Sequence, residues 1–274
     1  MSRVWFAGAL DTAAMYWRVE RRDGVTLGMT THDRDLWFAG VCHYAAPGML
    51  PSAIRRSDRL EEDSAEVTGA LTDEAISEDD LALGRFDGAR VTIGMVDWET
   101  AEAAPLYAGT LGGVSEEDGS FRAALQSRKA ELDADPVPRT SPGCRAQFCG
   151  PGCTLSAARF THEAVLTGGD GEECAIAIAC PVPLASLVSG TVRWLDGVYA
   201  GIAMGIAGLA GTDQLALDTP LDRGLDIGAR LLVREGCDRT LETCADRFAN
   251  AVNFRGEPFL PGNDLVARYP APGQ

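Results

Sequence analysis

Two pairs of cysteines hold the chemistry most open to reading in this 274-residue chain, Cys144 with Cys153 and Cys237 with Cys244. Thiolates are soft ligands, so four of them drawn from two distant segments suit either a tetrahedral zinc or a cuboidal iron-sulfur cluster. Zinc ribbons usually leave two residues between paired cysteines so that one tight knuckle wraps the ion, whereas eight and six intervene here. Such wide loops suit the bulkier cluster better. Spacing alone leaves a plain alternative equally open, because cysteine often serves as a small buried hydrophobe. Disulfides are not needed, since a chain of this length can build a core without staples.

Other groups read more simply. Gly201 to Gly208 is glycine-rich but lacks the Lys-Ser or Lys-Thr ending of a phosphate loop, and reads as a glycine-bearing strand. His32, Asp33 and Asp35 read as a hydrogen-bonded turn rather than an acid-base group. The acid runs Glu61–Asp63 and Asp73–Asp80 read as solvated faces or an interface. Cys42, Cys174 and Cys180 read as core thiols. No flavin or nicotinamide fingerprint is present, so the expectation is a protein that is not an enzyme.

With 40 acidic against 24 basic side chains, the formal charge of -16 disfavours any surface that must neutralise phosphates. Asp11 interrupts the apolar run from Arg3 to Leu10, so no export signal is read. Tyr199–Ala210 is too short and too broken by glycine to span a bilayer. The expectation is a soluble chain made in the cytoplasm with reduced thiols.

Two units must position these groups. The prolines and glycine of Asp133–Gly143 stop both helix and ladder, which gives domains 1–135 and 136–274. In the first, Phe6–Trp17 shows helical spacing, then alternation marks strands at Tyr16–Arg21, Val25–Met29, Asp35–Tyr44, Glu66–Leu71, Ala89–Val96, Leu106–Leu111 and Ser120–Gln126. Asp23-Gly24 signals a hairpin, and Ser77 caps a helix rich in acids. In the second, strands are expected at His162–Leu166, Cys174–Ala179, Gly190–Leu195, Val198–Ile206, Gln214–Leu217 and Ala229–Arg234. Leu241–Ala251 follows as a helix that places Cys244 near its positive end. The fold class is therefore mainly β (α+β), with two antiparallel barrel or sandwich-like domains and a few short helices.

Particular runs resemble a known family. Cys144-Arg145-Ala146, Cys153, Gly236-Cys237-Asp238, Thr243-Cys244, Phe248-Ala249-Asn250 and Asn253-Phe254-Arg255-Gly256 resemble the baseplate hub proteins of gene transfer agents, which are similar to the minor tail protein L of lambdoid phages. Arg22-Asp23-Gly24, Gly28 to Leu36 and Gly84 to Ala89 agree, so the likeness runs nearly the whole chain. The resemblance implies a structural hub at the tail tip of a phage-like particle, assembled in the bacterial cytoplasm. It implies a homotrimer around the DNA channel, with DNA passing the lumen without specific binding. The hub would join the distal tail ring to the central fibre-bearing protein. It further implies a 4Fe-4S cluster in the C-terminal domain, with Cys144, Cys153, Cys237 and Cys244 as metal and cofactor ligands. Cys149 departs from the pattern, standing where relatives are expected to carry glycine. Zinc in the same clasp and an iron-sulfur electron-transfer protein are the alternative readings.

Overall fold

A computed structural model describes residues 10–45, 50–51, 64–70, 77–117, 120–127, 137, 139–221 and 223–260. The chain divides into two compact units, Met1–Pro136 and Val137–Gln274.

Among the described residues the first unit is one nine-stranded sheet, where a barrel or sandwich-like domain was expected. Its strands are β1 (Ala13–Glu20), β2 (Thr26–Thr30), β3 (Leu36–Phe38), β4 (Val41–Ala45), β5 (Leu50–Pro51), β6 (Ser64–Ala70), β7 (Arg90–Asp97), β8 (Ala103–Glu117) and β9 (Ser120–Ser127), with helix α1 (Glu78–Ala82) between β6 and β7. Their lateral order is β3-β4-β2-β1-β7-β8-β9-β6-β5. Trp17, Met29, Ile93 and Tyr107 lead its main core. Every neighbouring pair is antiparallel except β2 and β4, because β3 and β4 form a tight hairpin that brings β4 back alongside β2 in its own direction. Ala39 and Gly40 make that turn with φ of 49° and 77°, the left-handed pair of a type I′ turn. The single segment expected over Asp35–Tyr44 is thus two strands.

The helix expected over Phe6–Trp17 is overturned from Ala13 onward, where β1 lies between β2 and β7. Ala14, Tyr16, Trp17 and Val19 are all buried, so apolar residues on both faces of a central strand imitate a helical period. Residues 6–9 lie outside the described residues. The Asp23-Gly24 hairpin is present, with the Arg21 amide donating to the Val25 carbonyl at 2.8 Å. Ser77 accepts from the Asp80 amide at 3.1 Å and caps α1 as expected. Asp80 itself corrects the solvated-face reading: it meets Arg21 at 3.2 Å and Arg85 at 3.3 Å, and the Arg21 side chain is buried over the Phe86 ring. Glu61–Asp63 and 73–76 lie outside the described residues.

The second unit closes on itself. Strands β10 (Thr161–Asp170), β11 (Ala175–Ala179), β12 (Thr191–Trp194), β13 (Ala203–Ala210), β14 (Gln214–Leu217) and β15 (Arg230–Arg234) form a barrel in the order β10-β11-β14-β13-β12-β15. Leu166, Ile176, Val192, Trp194, Met204, Leu215, Leu231 and Val233 are buried, as inward-facing residues of a small barrel must be. Bulges at Leu166/Gly168 and Ile206/Gly208 supply the local bend that closure requires. The strand expected at Val198 starts only at Ala203, because Val198–Gly201 turn instead, with Gly201 at φ 86°. Within the glycine-rich run, Ala203 to Gly208 lies in β13 as the strand reading expects, while Gly201 belongs to the preceding turn.

After β15 comes helix α2 (Leu241–Asp246), followed by a 3-10 turn at Ala251–Asn253. The eleven-residue helix expected there is therefore cut short. Cys174 and Cys180 flank β11 rather than lie in it, and with Cys42 they are only partly buried, which corrects the core-thiol reading. No helix among the described residues is long and apolar enough to cross a membrane.

Candidate metal centre

Cys237 and Cys244 are held by the chain that leaves the barrel. Gly236 passes so close to Val188 that a Cβ would lie 1.6 Å from its carbonyl oxygen, so glycine alone fits immediately before Cys237. Asp238 then organises the turn: its carboxylate accepts from the Thr240 amide at 2.9 Å and the Thr243 hydroxyl at 2.7 Å. Thr240 caps α2 by accepting from the Thr243 amide at 3.2 Å, and Cys244 falls on the buried face of that short helix.

Cys144 and Cys153 come from the other end of the unit. The Cys144 amide donates to the Arg239 carbonyl at 2.8 Å, and the Arg145 amide to the Arg255 carbonyl at 3.0 Å. Arg145 also forks onto the Glu257 carboxylate at 2.6 and 2.9 Å, while Ser141 and Glu257 exchange two further bonds. A Cβ on Gly256 would lie 2.6 Å from the Gly143 oxygen, so these two backbone stretches touch. Cys153 closes a turn by donating to the Gly150 carbonyl at 3.0 Å. Phe148, Phe160 and Phe248 pack with centroids 4.9 to 5.5 Å apart, which binds the Cys153 loop to the end of α2.

The result is a cavity of about 380 Å³ whose wall includes Cys144, Cys153, Cys237 and Cys244. Two sulfurs face protein donors: the Arg255 amide donates to Cys144 Sγ at 3.3 Å, and Asn250 Nδ2 lies 3.7 Å from Cys153 Sγ. Burial pushes the Cys237 and Cys244 thiols up from their ordinary range, and the neighbouring cysteines push both further. Thiolates in such a place need a cation to stabilise them. The helix-end effect expected for Cys244 is outweighed, since six residues make a weak dipole and burial acts against charge.

Among the described residues no three His, Cys, Asp or Glu side chains converge closely enough to hold one ion. The donor set, four thiols lining one cavity with an amide hydrogen aimed at two of the sulfurs, fits soft-metal ligation, an iron-sulfur cluster included.

Cys149 is partly buried and feels the negative charge of Cys153 and Cys237, yet it does not line the cavity. Its φ of 58° is the left-handed region, in keeping with a position expected to suit glycine. His32 Nδ1 accepts from the Arg34 amide at 3.0 Å and serves a turn, whereas Asp35 accepts from the Ala45 amide at 2.9 Å across the open end of the β3–β4 hairpin. Residues that spacing did not single out complete the centre: Asn250, Glu257 with Arg145, and the three phenylalanines. Of these, Arg145, Phe248 and Asn250 fell within motifs noted in the sequence.

A family profile described as the baseplate hub protein, N-terminal attachment domain, matches residues 4–156. The chain belongs to the baseplate hub family. A profile of phage conserved hypothetical proteins matches residues 187–264. A protein chain in the virion of a native gene transfer agent particle is 32% identical, with a TM-score of 0.83, over 99% of this chain and 96% of that one. No curated protein matches. The hub profile takes in Cys144 and Cys153 and the second profile Cys237 and Cys244, so each half of the thiol set falls in a different matched segment.

Proposed function

We propose that this hub-family chain is a structural, non-enzymatic component of the tail tip of a phage-like particle. In this reading three copies surround the DNA channel between a distal tail ring and a central fibre-bearing protein, and an iron-sulfur cluster clasps the C-terminal unit. The family and the likeness to a gene transfer agent protein over nearly the full length of both chains support the placement. One observation carries the clasp: cysteines from both ends of the second unit stand on the wall of one cavity.

Cys144, Cys153, Cys237 and Cys244 would hold the cluster, and the bound group would supply a cross-link rather than turnover. Arg145 and Glu257 fix the Cys144 loop, Asp238 shapes the Cys237 turn, and Phe148 and Phe248 line the cavity beside them. The chain so held presents Val252, 90% exposed, and Phe259, 89% exposed, on its outer surface, as an assembly protein must offer apolar contact to neighbours.

Anaerobic purification followed by iron, sulfide and zinc determination tests this. The expected protein is brown and holds iron with sulfide, and Cys237→Ser or Cys244→Ala bleaches it. One zinc per chain and no iron would remove the cluster and keep the clasp. Electron microscopy of particles carrying Cys244→Ala should show missing or broken tips, and intact particles would remove the assembly role.

A further inference from the structure

Asn250 is only 6% exposed, yet every polar group it owns has a partner. Its Nδ2 donates to the Cys153 carbonyl at 2.7 Å, and its Oδ1 accepts from Asn253 Nδ2 at 2.7 Å. Its backbone amide donates to the Cys244 carbonyl at 2.9 Å, and its own carbonyl accepts from the Asn253 amide at 2.9 Å. One side chain therefore joins the segment bearing Cys153 to the segment bearing Cys244. An amide nitrogen has two hydrogens, and with the first given to the Cys153 carbonyl, Cys153 Sγ stands 3.7 Å away for the second.

We propose that Asn250 is the positioning residue of the metal centre, holding Cys153 by its carbonyl and withdrawing charge from its sulfur through the second N–H. The inference rests on the four-thiolate reading above. Aspartate at this position keeps the size and the acceptor for Asn253 but loses both donors. Hydrogen bonds to cluster sulfurs tune reduction potential, because a donor offsets the charge on the sulfur and favours the reduced state. A residue that served packing alone would not move that potential through sulfur.

Two measurements on the full chain test the two halves of the idea. Hydrogen exchange in the metal-free protein should open residues around Cys153 about five-fold faster in Asn250→Asp, the loss of one ordinary hydrogen bond. Unchanged exchange there would overturn the holding role. After reconstitution with iron(II) and inorganic sulfide, the midpoint potential of Asn250→Asp should fall below that of the wild type. Asn250→Leu is the control, since it removes both donors at similar size without bringing a charge to the cavity wall. It should also lower the potential, and a shift seen only in the aspartate variant would overturn the sulfur contact. A wild-type protein that takes up no cluster removes the four-thiolate reading and the sulfur half with it, and the exchange experiment still decides whether Asn250 holds Cys153.

Discussion

Cys149 and His43 show how single residues record conflicting demands. A side chain at φ 58° crowds its own carbonyl, by roughly 1 kcal/mol relative to glycine. Cys149→Gly should therefore keep the iron content and raise the midpoint of thermal unfolding of the C-terminal unit, and loss of iron would make Cys149 a ligand. His43 is fully buried in β4, stacked on Phe38 at 3.9 Å and edge-on to Tyr16 at 5.5 Å. Burial, helped by the Arg18 charge, pulls its pKa down to about 4 against the opposing backbone oxygens of Val41 and Leu36. Between about 6.5 and about 4 the unfolded chain binds the extra proton. Stability is complete above that window and is lost as pH falls through it, by roughly 3 kcal/mol. Denaturant titrations from pH 7 to 4 should show this slope in the wild type and a flatter one in His43→Leu. Equal slopes would mean that the ring is protonated in place.

Among elements, the link between the Cys144 loop and the segment around Glu257 ties together two stretches from opposite ends of the second unit. The Arg145 guanidinium holds the Glu257 carboxyl well below its usual 4.5, at about 2. A depressed carboxylate contributes above its unfolded pKa and loses that contribution as pH falls through the folded one, so this link should weaken between about 4.5 and about 2. Glu257→Gln should show faster hydrogen exchange at residues 141–145 at neutral pH, with the difference from wild type vanishing at the acid end of the window. Exchange equal at both ends would make the contact ornamental. Such links were not legible in the sequence, because nothing local announces that Arg145 and Glu257 meet. Half-buried strands were legible: β14 has the bounds its alternation predicts, and Ser77 with its acids marks α1. β1 was misread where both faces are buried, and α2 was overextended because Phe248 and Asn250 are turned inward by tertiary contacts rather than by helical period. The thiols were legible as types and spacing. What joins them was not, since Asn250 reaches Cys153 across the barrel sequence.

For the whole molecule, the clasp and the charge make separate demands. Joining Cys153 to Cys237 through one centre closes the entire barrel sequence into a loop, a cross-link worth about 4–5 kcal/mol if the site is unstrained. Chelation of the purified protein should lower the unfolding temperature of the Val137–Gln274 unit while leaving that of the Met1–Pro136 unit in place, as two calorimetric transitions would show. A matching fall in both would mean the units do not unfold independently. In the proposed hub, charge bears on passage rather than on folding. DNA that must move through a ring cannot be gripped by it, and even six to ten phosphate contacts would hold a duplex strongly at about 50 mM salt and release it near 200 mM. A chain with net charge -16 repels the same phosphates. Asp80 shows that part of the acid excess is spent on internal arginines, yet 40 acids against 24 bases leave a large surplus. The assembled protein should therefore leave the mobility of duplex DNA unchanged at about 50 mM salt. Retardation that fades at higher salt would show that arginines are gathered on the DNA-facing surface despite the acidic total, and the argument from net charge would have to be abandoned even with the hub assignment intact.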